Sequence, residues 1–394
     1  MTEDAASGEL GTPLVIIGSG IAGYNVAKAF RKLDSERPVL IITRDGGESY
    51  YKPSLSNSLA KGTPPDELVQ ADAGSMAETL KAAIWTRTGV TAVDPARKQV
   101  TTERGEVAYH KLVMAVGADS LALPLKGDRA DAVLHVNDLD DFRAFTEALP
   151  PAGGRIVIIG AGLIGCEFAN DLVLSRHKVE IFDIAEKPLS RFVPGDLGDV
   201  LRNELAALGV SWHLGSSIES VDQGDERQYL CRLSDGSTLE ADEVLSAVGL
   251  RPRIELARVA GLATNRGIVV DTRLQTSAPD IYALGDCAEL DGQTWPFVMP
   301  TMHEARALGA TLAGTPTPVK FPVMPIIVKT ESYPVVVVPP APEKAGEWLR
   351  VPCDAGQAAV YLDGDRRVNG FALMGDAARE RGRYVKAVGS VWGV

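Results

Sequence analysis

Short, wholly apolar runs followed by glycine-rich turns recur along the chain and predict buried parallel strands. Residues 14–30 read LVIIGSGIAGYNVAKAF, and residues 156–172 read IVIIGAGLIGCEFANDL. Seven of the seventeen aligned positions are identical, including all three glycines. An aliphatic run without polar alternation is typical of a strand that is buried on both faces. Because a helical pattern follows each turn, the repeat predicts two strand–turn–helix units.

A second pair of apolar runs follows the same logic. Residues 111–119 (KLVMAVGAD) and 243–252 (EVLSAVGLRP) both predict strands that end in Ala-Val-Gly. Each predicted unit therefore opens with a glycine turn and closes with an Ala-Val-Gly strand. This pattern predicts an α/β fold with two Rossmann-like dinucleotide-binding domains.

The three glycines of each Gly-x-Gly-x-x-Gly turn have separate physical roles. The first permits the tight turn from strand to helix, the second lets the backbone approach a pyrophosphate at the helix N-terminus, and the third lets helix and strand pack closely. One such motif is a weak signal, whereas two copies in the same context favour nucleotide binding. The glycines in these positions are Gly18, Gly20 and Gly23 in the first unit and Gly160, Gly162 and Gly165 in the second.

The residue at the end of the next strand distinguishes the two units. Asp183 ends the predicted strand KVEIFDI, eighteen residues after Gly165. A carboxylate there accepts the ribose hydroxyls of NAD and repels a 2′-phosphate, so NADH is favoured over NADPH; the alternative is a solvated strand-end acid. In the first unit the strand ends in Thr43, where an acid is usual, and an adenosine ribose is left to Thr43 or Asp45.

The last seventy-odd residues predict a small α+β domain. Residues 321–342 contain short apolar runs interrupted by prolines, which are typical of edge strands in an antiparallel sheet. Further strands are predicted at 348–351, 358–362 and 368–374, with a hairpin turn at 363–365. A closing helix is predicted at 377–386.

Composition narrows the classes of function. With 394 residues the chain is long enough for two or three domains, and its net charge of −12 argues against nucleic acid and anionic membrane surfaces as partners. No apolar run is long enough to cross a bilayer. The N-terminal residues include Glu3, Asp4 and Glu9, so we expect no leader segment there. Four scattered cysteines without metal-ligand spacing favour the reducing cytoplasm.

The ordered set of motifs resembles the FAD-dependent pyridine nucleotide reductases, and within them the reductases of rubredoxin. Besides the two glycine turns, the motifs are YKPSLS (51–56), SAVGLRPR (246–253), NRGIVVD (265–271) and YALGDCAE (282–289). The resemblance implies a glutathione-reductase-like fold that binds FAD and NADH. Its implied domains are an FAD-binding domain at 1–117 and 249–318, an NADH-binding domain at 118–248 and a C-terminal interface domain at 319–394.

The resemblance also implies roles for individual residues. For the FAD pyrophosphate it implies Gly18, Ser19, Gly20, Ile21 and Ala22, with Thr43 and Arg44 near the adenosine and Val90 at the adenine. For the ribityl chain and ring it implies Asp286 and Val298, and for the flavin and its contact with nicotinamide it implies Lys52, Glu167 and Lys329. A lysine near the flavin stabilises the negative charge of the reduced ring, whereas the alternative for Lys52 or Lys329 is a surface lysine.

The distribution of cysteines and histidines places the electron acceptor outside the chain. Disulfide reductases of this fold carry a redox-active cysteine pair, but the first cysteine here is Cys166, in the second helix motif. Cys166 and Cys287 are therefore expected to be packed side chains. His303 is a candidate proton donor or a structural histidine, and the five histidines show no pair spaced for a metal site.

These observations predict an NADH oxidoreductase that passes electrons one at a time from reduced flavin to rubredoxin or a similar small iron carrier. Two alternatives stay open within the same fold, a ferredoxin reductase and a flavorubredoxin reductase. A third alternative, of another class, is a flavoprotein that senses nucleotides without turnover.

Overall fold

The structure is a computed structural model that describes residues 11–341 and 343–392. Glu3, Asp4 and Glu9, on which the expectation about a leader segment rests, lie outside the described residues. The helices are α1 Ile21–Arg31, α2 Ala73–Leu80, α3 Leu139–Ala148, α4 Leu163–Leu174, α5 Gly195–Ala207, α6 Glu255–Val259, α7 Val298–Leu312 and α8 Arg381–Ala387.

The strands are short and follow the apolar runs of the sequence. In chain order they are β1 Leu14–Ile17, β2 Val39–Ile42, β3 Ser49–Tyr50, β4 Val69–Ala71, β5 Ala83–Trp85, β6 Val90–Asp94, β7 Gln99–Thr102, β8 Gly105–Ala108, β9 Lys111–Met114, β10 Ala118–Ser120, β11 Leu134–His135, β12 Arg155–Ile159, β13 Lys178–Asp183, β14 Val210–Leu214, β15 Ile218–Gln223, β16 Tyr229–Leu233, β17 Thr238–Ala241, β18 Glu243–Ser246, β19 Leu250–Pro252, β20 Ile268–Val270, β21 Ile281–Ala283, β22 Ala288–Leu290, β23 Ile326–Val328, β24 Val335–Val338, β25 Glu347–Val351, β26 Gln357–Leu362 and β27 Val368–Met374.

The chain forms two compact units, each built from several segments. Of the described residues, the first unit comprises 11–51, 67–119 and 250–322, and the second comprises 52–66, 120–249, 323–341 and 343–392. The domain boundaries that the sequence suggested stay a prediction.

The first unit is built around a parallel sheet with the strand order β21-β9-β1-β2-β5. Every residue of β1 and β2 is buried, as the aliphatic runs predict. The helix α7 packs against α1, and the antiparallel strands β6-β7-β8 form a further small sheet. Because β2 and β9 flank β1 on opposite sides, the chain reverses direction across the sheet at β1. In such sheets ligands bind at the carboxyl ends of the strands next to this point.

The second unit repeats this arrangement with the parallel order β11-β18-β12-β13-β14. Strand β12 has the place of β1, since β13 and β18 flank it on opposite sides. The antiparallel strands β15-β16-β17 form a separate sheet of this unit.

The C-terminal part of the second unit is an antiparallel sheet with the order β23-β24-β27-β26-β25. The hairpin between β26 and β27 lies where it was predicted. The expectation of edge strands was wrong for β24, which is an inner strand because β23 and β27 pair with its two sides. The predicted closing helix is present: it begins as a 3₁₀ turn, Gly375–Glu380, and continues as α8.

Candidate functional site

The first glycine turn connects β1 to α1 in the first unit. Gly18 has a φ of +108°, and a Cβ atom there would lie 2.3 Å from the carbonyl oxygen of Ala115, directly after β9. A Cβ atom at Gly23 would lie 1.9 Å from the carbonyl oxygen of Gly18. Both distances are too short for any side chain, so only glycine permits this turn and this close packing of the helix.

The start of α1 fits the pyrophosphate of a dinucleotide. Gly20 caps the helix in an extended conformation, and no side chain among the described residues accepts a hydrogen bond from its first turn. A Cβ atom at Gly20 would meet no atom of the described chain within 4 Å. The amides of Ile21 and Ala22 therefore begin a helix whose N-terminus carries partial positive charge and suits an anion.

The second glycine turn has the same geometry in the second unit. Gly160 has a φ of +111°, and a Cβ atom there would lie 2.7 Å from the carbonyl oxygen of Ala247, just after β18. A Cβ atom at Gly165 would lie 1.8 Å from the carbonyl oxygen of Gly160. Gly162 caps α4 without a side-chain partner in the described ranges. The repeat in sequence is thus a repeat of two turns whose geometry suits an anion.

Asp183 lies at the end of β13, beside the second glycine turn. Its carboxylate accepts hydrogen bonds from the backbone amides of Ala161 at 2.6 Å and of Ala185 at 2.7 Å. These two bonds fix the carboxylate, while its remaining lone pairs can accept hydroxyl donors. Ile184, the next residue, is 81% exposed. The arrangement fits the ribose of NAD.

The residues predicted for the adenosine of FAD surround the end of β2. Thr43 is buried directly after the strand, and Arg44 is exposed. The amide of Thr88 donates to the carbonyl oxygen of Thr43 at 2.8 Å, so the chain leading to the half-buried Val90 lies against this strand end. The predicted adenosine residues thus belong to the first unit.

Asp286 lies in a 3₁₀ turn, Gly285–Cys287, after β21. Strand β22 follows this turn, and Val298 begins α7 only later in the chain. Glu304 of α7 is buried and accepts a hydrogen bond from the amide of Gly285 at 2.7 Å. Burial, assisted by the charge of Asp286, raises the pKa of Glu304 to about 7.

A row of buried polar side chains on α4, Glu167, Asn170 and Asp171, binds two other segments of the second unit. These segments are the loop at 56–60 and the turn that joins β23 to β24. The carboxylate of Glu167, 2% exposed, accepts hydrogen bonds from the hydroxyl of Ser56, from the backbone amide of Lys329 at 2.9 Å and from its ammonium at 2.5 Å. Glu167 and Lys329 are thus brought together. Lys52, in the same unit, donates from Nζ to the side-chain oxygen of Asn137 at 2.8 Å.

Two further members of this row lie one turn along α4. Asp171 accepts hydrogen bonds from the amides of Leu59 at 2.8 Å and Ala60 at 3.0 Å, and Asn170 accepts one from the hydroxyl of Ser332. Burial raises the pKa of Asp171. Sequence reasoning missed both residues and Glu304. The available signal for the row was a set of polar positions at i, i+3 and i+4 in an otherwise apolar helix.

The cysteines of the described residues are all unpaired, and Cys166, Cys231 and Cys287 are buried. Burial raises the pKa of Cys287 to about 12 and raises that of Cys166 as well. A thiol with a raised pKa is a poor nucleophile at neutral pH. His303 is half-buried on α7. Within residues 11–341 and 343–392, no helix is long and apolar enough to cross a bilayer.

Two anion-binding turns with a strand-end carboxylate at one of them define a protein that binds two dinucleotides. The chain belongs to the pyridine nucleotide-disulphide oxidoreductase family, whose sequence model matches residues 12–309. Residues 318–388 match a second family, the rubredoxin binding C-terminal domain. The predicted family and fold class are thereby confirmed, and with them an oxidoreductase that uses FAD and a pyridine nucleotide.

Several named relatives cover nearly the whole chain. It is 43% identical over 380 residues to a rubredoxin-NAD(+) reductase of Alcanivorax borkumensis, a match that covers 96% of this chain and 99% of the relative. It is 39% identical to a nitric oxide reductase FlRd-NAD(+) reductase of Aeromonas hydrophila, over 92% of this chain and 93% of the relative. Among solved structures, the NADH:rubredoxin oxidoreductase of Clostridium acetobutylicum is similar with a TM-score of 0.79 and 25% identity, over 96% of this chain and 94% of the other.

Proposed function

We propose that this protein is an FAD-dependent NADH oxidoreductase that passes electrons one at a time to rubredoxin. The observation that carries the proposal is the match of residues 318–388 to the rubredoxin binding C-terminal domain. It is supported by relatives named as rubredoxin-NAD(+) reductases at 42–43% identity. We propose the cytoplasm as its location, which the unpaired cysteines favour.

The residues of the two turns suit separate dinucleotides. We propose that residues 18–23 and the start of α1 hold the pyrophosphate of FAD, with Asp286 and Val298 at its ribityl chain and ring. Residues 160–165 and Asp183 would hold NADH. When bound, FAD supplies the conversion of a two-electron hydride input into one-electron output.

The proposed roles of the protein side chains are to orient and to stabilise charge. Asp183 orients NADH through its ribose and disfavours a 2′-phosphate by charge repulsion. Glu167 fixes the ammonium of Lys329 with a charge-assisted hydrogen bond of 2.5 Å. We propose Lys329, together with Lys52, as a cation that stabilises the negative charge of reduced flavin. The buried cysteines are not needed as electron carriers.

A direct test is NADH-driven reduction of purified rubredoxin, followed by its visible absorbance, with cytochrome c as the final acceptor in a parallel assay. The proposal predicts slow cytochrome c reduction by the flavoprotein alone and a large increase on adding rubredoxin. A protein that is yellow but passes no electrons to rubredoxin from NADH would refute it. A colourless protein that binds NADH without bleaching would favour the nucleotide-sensing alternative.

The second candidate acceptor is the rubredoxin domain of a flavorubredoxin. The observation that favours it is the 39% identity to the FlRd-NAD(+) reductase of Aeromonas hydrophila. Comparing kcat/KM for a free rubredoxin and for a flavorubredoxin under the same conditions decides between the two. A ferredoxin in the same series tests the remaining alternative.

A further inference from the structure

The carboxylate of Asp45 gathers three hydrogen bonds at the end of β2. Its Oδ1 atom accepts from the hydroxyls of Ser19 at 2.8 Å and Thr43 at 2.7 Å and from the backbone amide of Gly47 at 2.9 Å. Among the described residues, Oδ2 accepts none. One oxygen atom is therefore fixed by the protein, and the other keeps its lone pairs for a ligand.

The loop that carries Asp45 is held from several sides. The hydroxyl of Tyr24 donates to the carbonyl oxygen of Gly47 at 2.5 Å, and the backbone amide of Arg87 donates to the carbonyl oxygen of Asp45 at 2.9 Å. Tyr24 is buried, with 3% of its surface exposed. These bonds order the loop, so a ligand that binds the carboxylate does not have to order it again.

The repeat shows what this carboxylate corresponds to in the second unit. Ile17 pairs with Ile42 and Ile159 pairs with Phe182, so Thr43 and Asp183 are at equivalent positions, each directly after the paired residue. Asp183 binds the backbone amide of Ala161 in its glycine turn. Ser19, the equivalent of Ala161, instead extends its hydroxyl to Asp45. Both turns are thus tied to a carboxylate, which in the first unit comes from two residues further along the chain.

Thr43 itself is poorly suited to bind a ribose. Both ribose hydroxyls are best recognised by an acceptor that is an anion, as in the second unit. The hydroxyl of Thr43 donates its proton to Asp45 and lies 3.0 Å from the hydroxyl of Ser19 as an acceptor. Thr43 is also 4% exposed, whereas Asp45 is an exposed residue.

We propose that Asp45 binds the ribose hydroxyls of the adenosine half of FAD, in place of the acid that Thr43 replaces. This inference rests on the proposed function, in which the first unit holds FAD. It assigns recognition of the 2′- and 3′-hydroxyls of the adenosine ribose to a residue beyond the strand end. It also explains why Ser19 and Thr43 both donate to Oδ1 of Asp45, since Oδ2 is then left for the ribose.

The test is the release of flavin from the holoenzyme. Asp45→Asn keeps an oxygen acceptor for Ser19, Thr43 and Gly47 but removes the charge. The matched control is Glu48→Gln, which removes a carboxylate from the same loop. Each full-length protein is reconstituted with FAD or with an FAD analogue that lacks the 2′-hydroxyl of the adenosine ribose, and release is followed by flavin fluorescence after dilution.

With FAD, we expect Asp45→Asn to speed release by about tenfold or more, the loss expected for a hydrogen bond to an ionised group. With the deoxy analogue the same variant should show a clearly smaller effect, and Glu48→Gln should resemble wild type with both flavins. An unchanged release of FAD from Asp45→Asn, or an equal effect with both flavins, would overturn the assignment. Wild-type protein that cannot bind FAD would instead overturn the proposed function.

Discussion

The choice between NADH and NADPH is the property that the structure makes easiest to redesign. Asp183 accepts amide hydrogen bonds at 2.6 and 2.7 Å, and its neighbour Ile184 is 81% exposed. An arginine at 184 therefore costs little packing and can pair with a 2′-phosphate, while a serine at 183 removes the repelling charge. We expect Asp183→Ser/Ile184→Arg to shift the kcat/KM ratio toward NADPH.

The magnitude follows from the contacts that are exchanged. Losing the hydrogen bond from ribose to an ionised acceptor costs NADH about 1–3 kcal/mol, or roughly 5- to 150-fold in kcat/KM. Relief of charge repulsion and a new arginine–phosphate pair act on NADPH with a similar magnitude. The turn also loses its bonds to the amides of Ala161 and Ala185, so we expect a lower melting temperature for this variant.

The assay is steady-state reduction of a small neutral acceptor at varied NADH and NADPH concentrations. Ile184→Arg alone and Asp183→Asn alone are the controls, since the first adds the cation with the acid present and the second removes charge but keeps an acceptor for the turn. Wild type that uses both nucleotides equally would refute the role of Asp183. A double variant that folds, retains FAD and keeps the wild-type preference would refute it equally.

Four further predictions test other parts of the structure. We expect FAD to be bound non-covalently, so acid precipitation should release the yellow colour, and colour kept in the pellet would contradict this. Replacing all four cysteines with alanine or serine should leave the NADH-to-carrier rate within a few-fold of wild type where the variant folds, because burial raises the pKa of Cys166, Cys231 and Cys287. Lys329→Met leaves the buried carboxylate of Glu167 without its cation and should lower the free energy of unfolding, measured in urea, by about 2–4 kcal/mol. Adding Glu167→Gln to the same chain removes the unpaired charge and should restore most of that free energy. Burial raises the pKa of Glu304 from 4.5 to about 7, so the folded state keeps a proton that the unfolded chain loses. Stability should therefore fall as pH rises between those values, and Glu304→Gln should flatten that part of the urea-midpoint profile.

The sequence predicted what depends on local geometry. Gly18 and Gly160 could be recognised because a strand, a tight turn and a helix follow each other within about ten residues, and the close contacts leave no alternative to glycine. The position of Asp183 followed from the same short-range pattern. These features need no knowledge of how distant segments meet.

The features that the sequence did not predict depend on contacts between distant segments. Asp171 binds amides more than a hundred residues earlier in the chain, and Glu304 reaches Gly285 only because β22 and a loop return the chain to that turn. The inner position of β24 also depends on a partner, β27, that comes over thirty residues later. Periodicity describes one segment at a time, so it cannot identify the partner of a polar side chain or the neighbour of a strand.

Under the proposed function, the two glycine turns are one local structure that serves two dinucleotides. The turn and the helix N-terminus recognise a pyrophosphate, which FAD and NADH share, so the glycines alone do not distinguish the two cofactors. Distinction needs groups that contact the parts that differ, and these lie just beyond the strand that follows. In the second unit the acid proposed for the ribose, Asp183, is on the strand end itself and accepts a hydrogen bond from the amide of Ala161 in the turn. In the first unit, under our proposal, the acid is two residues later and is coupled to the turn through Ser19 and Thr43. Moving the carboxylate along the loop changes the direction from which a ribose can approach while the pyrophosphate turn stays the same. A duplicated unit can thus acquire a second cofactor through changes confined to a few residues after one strand.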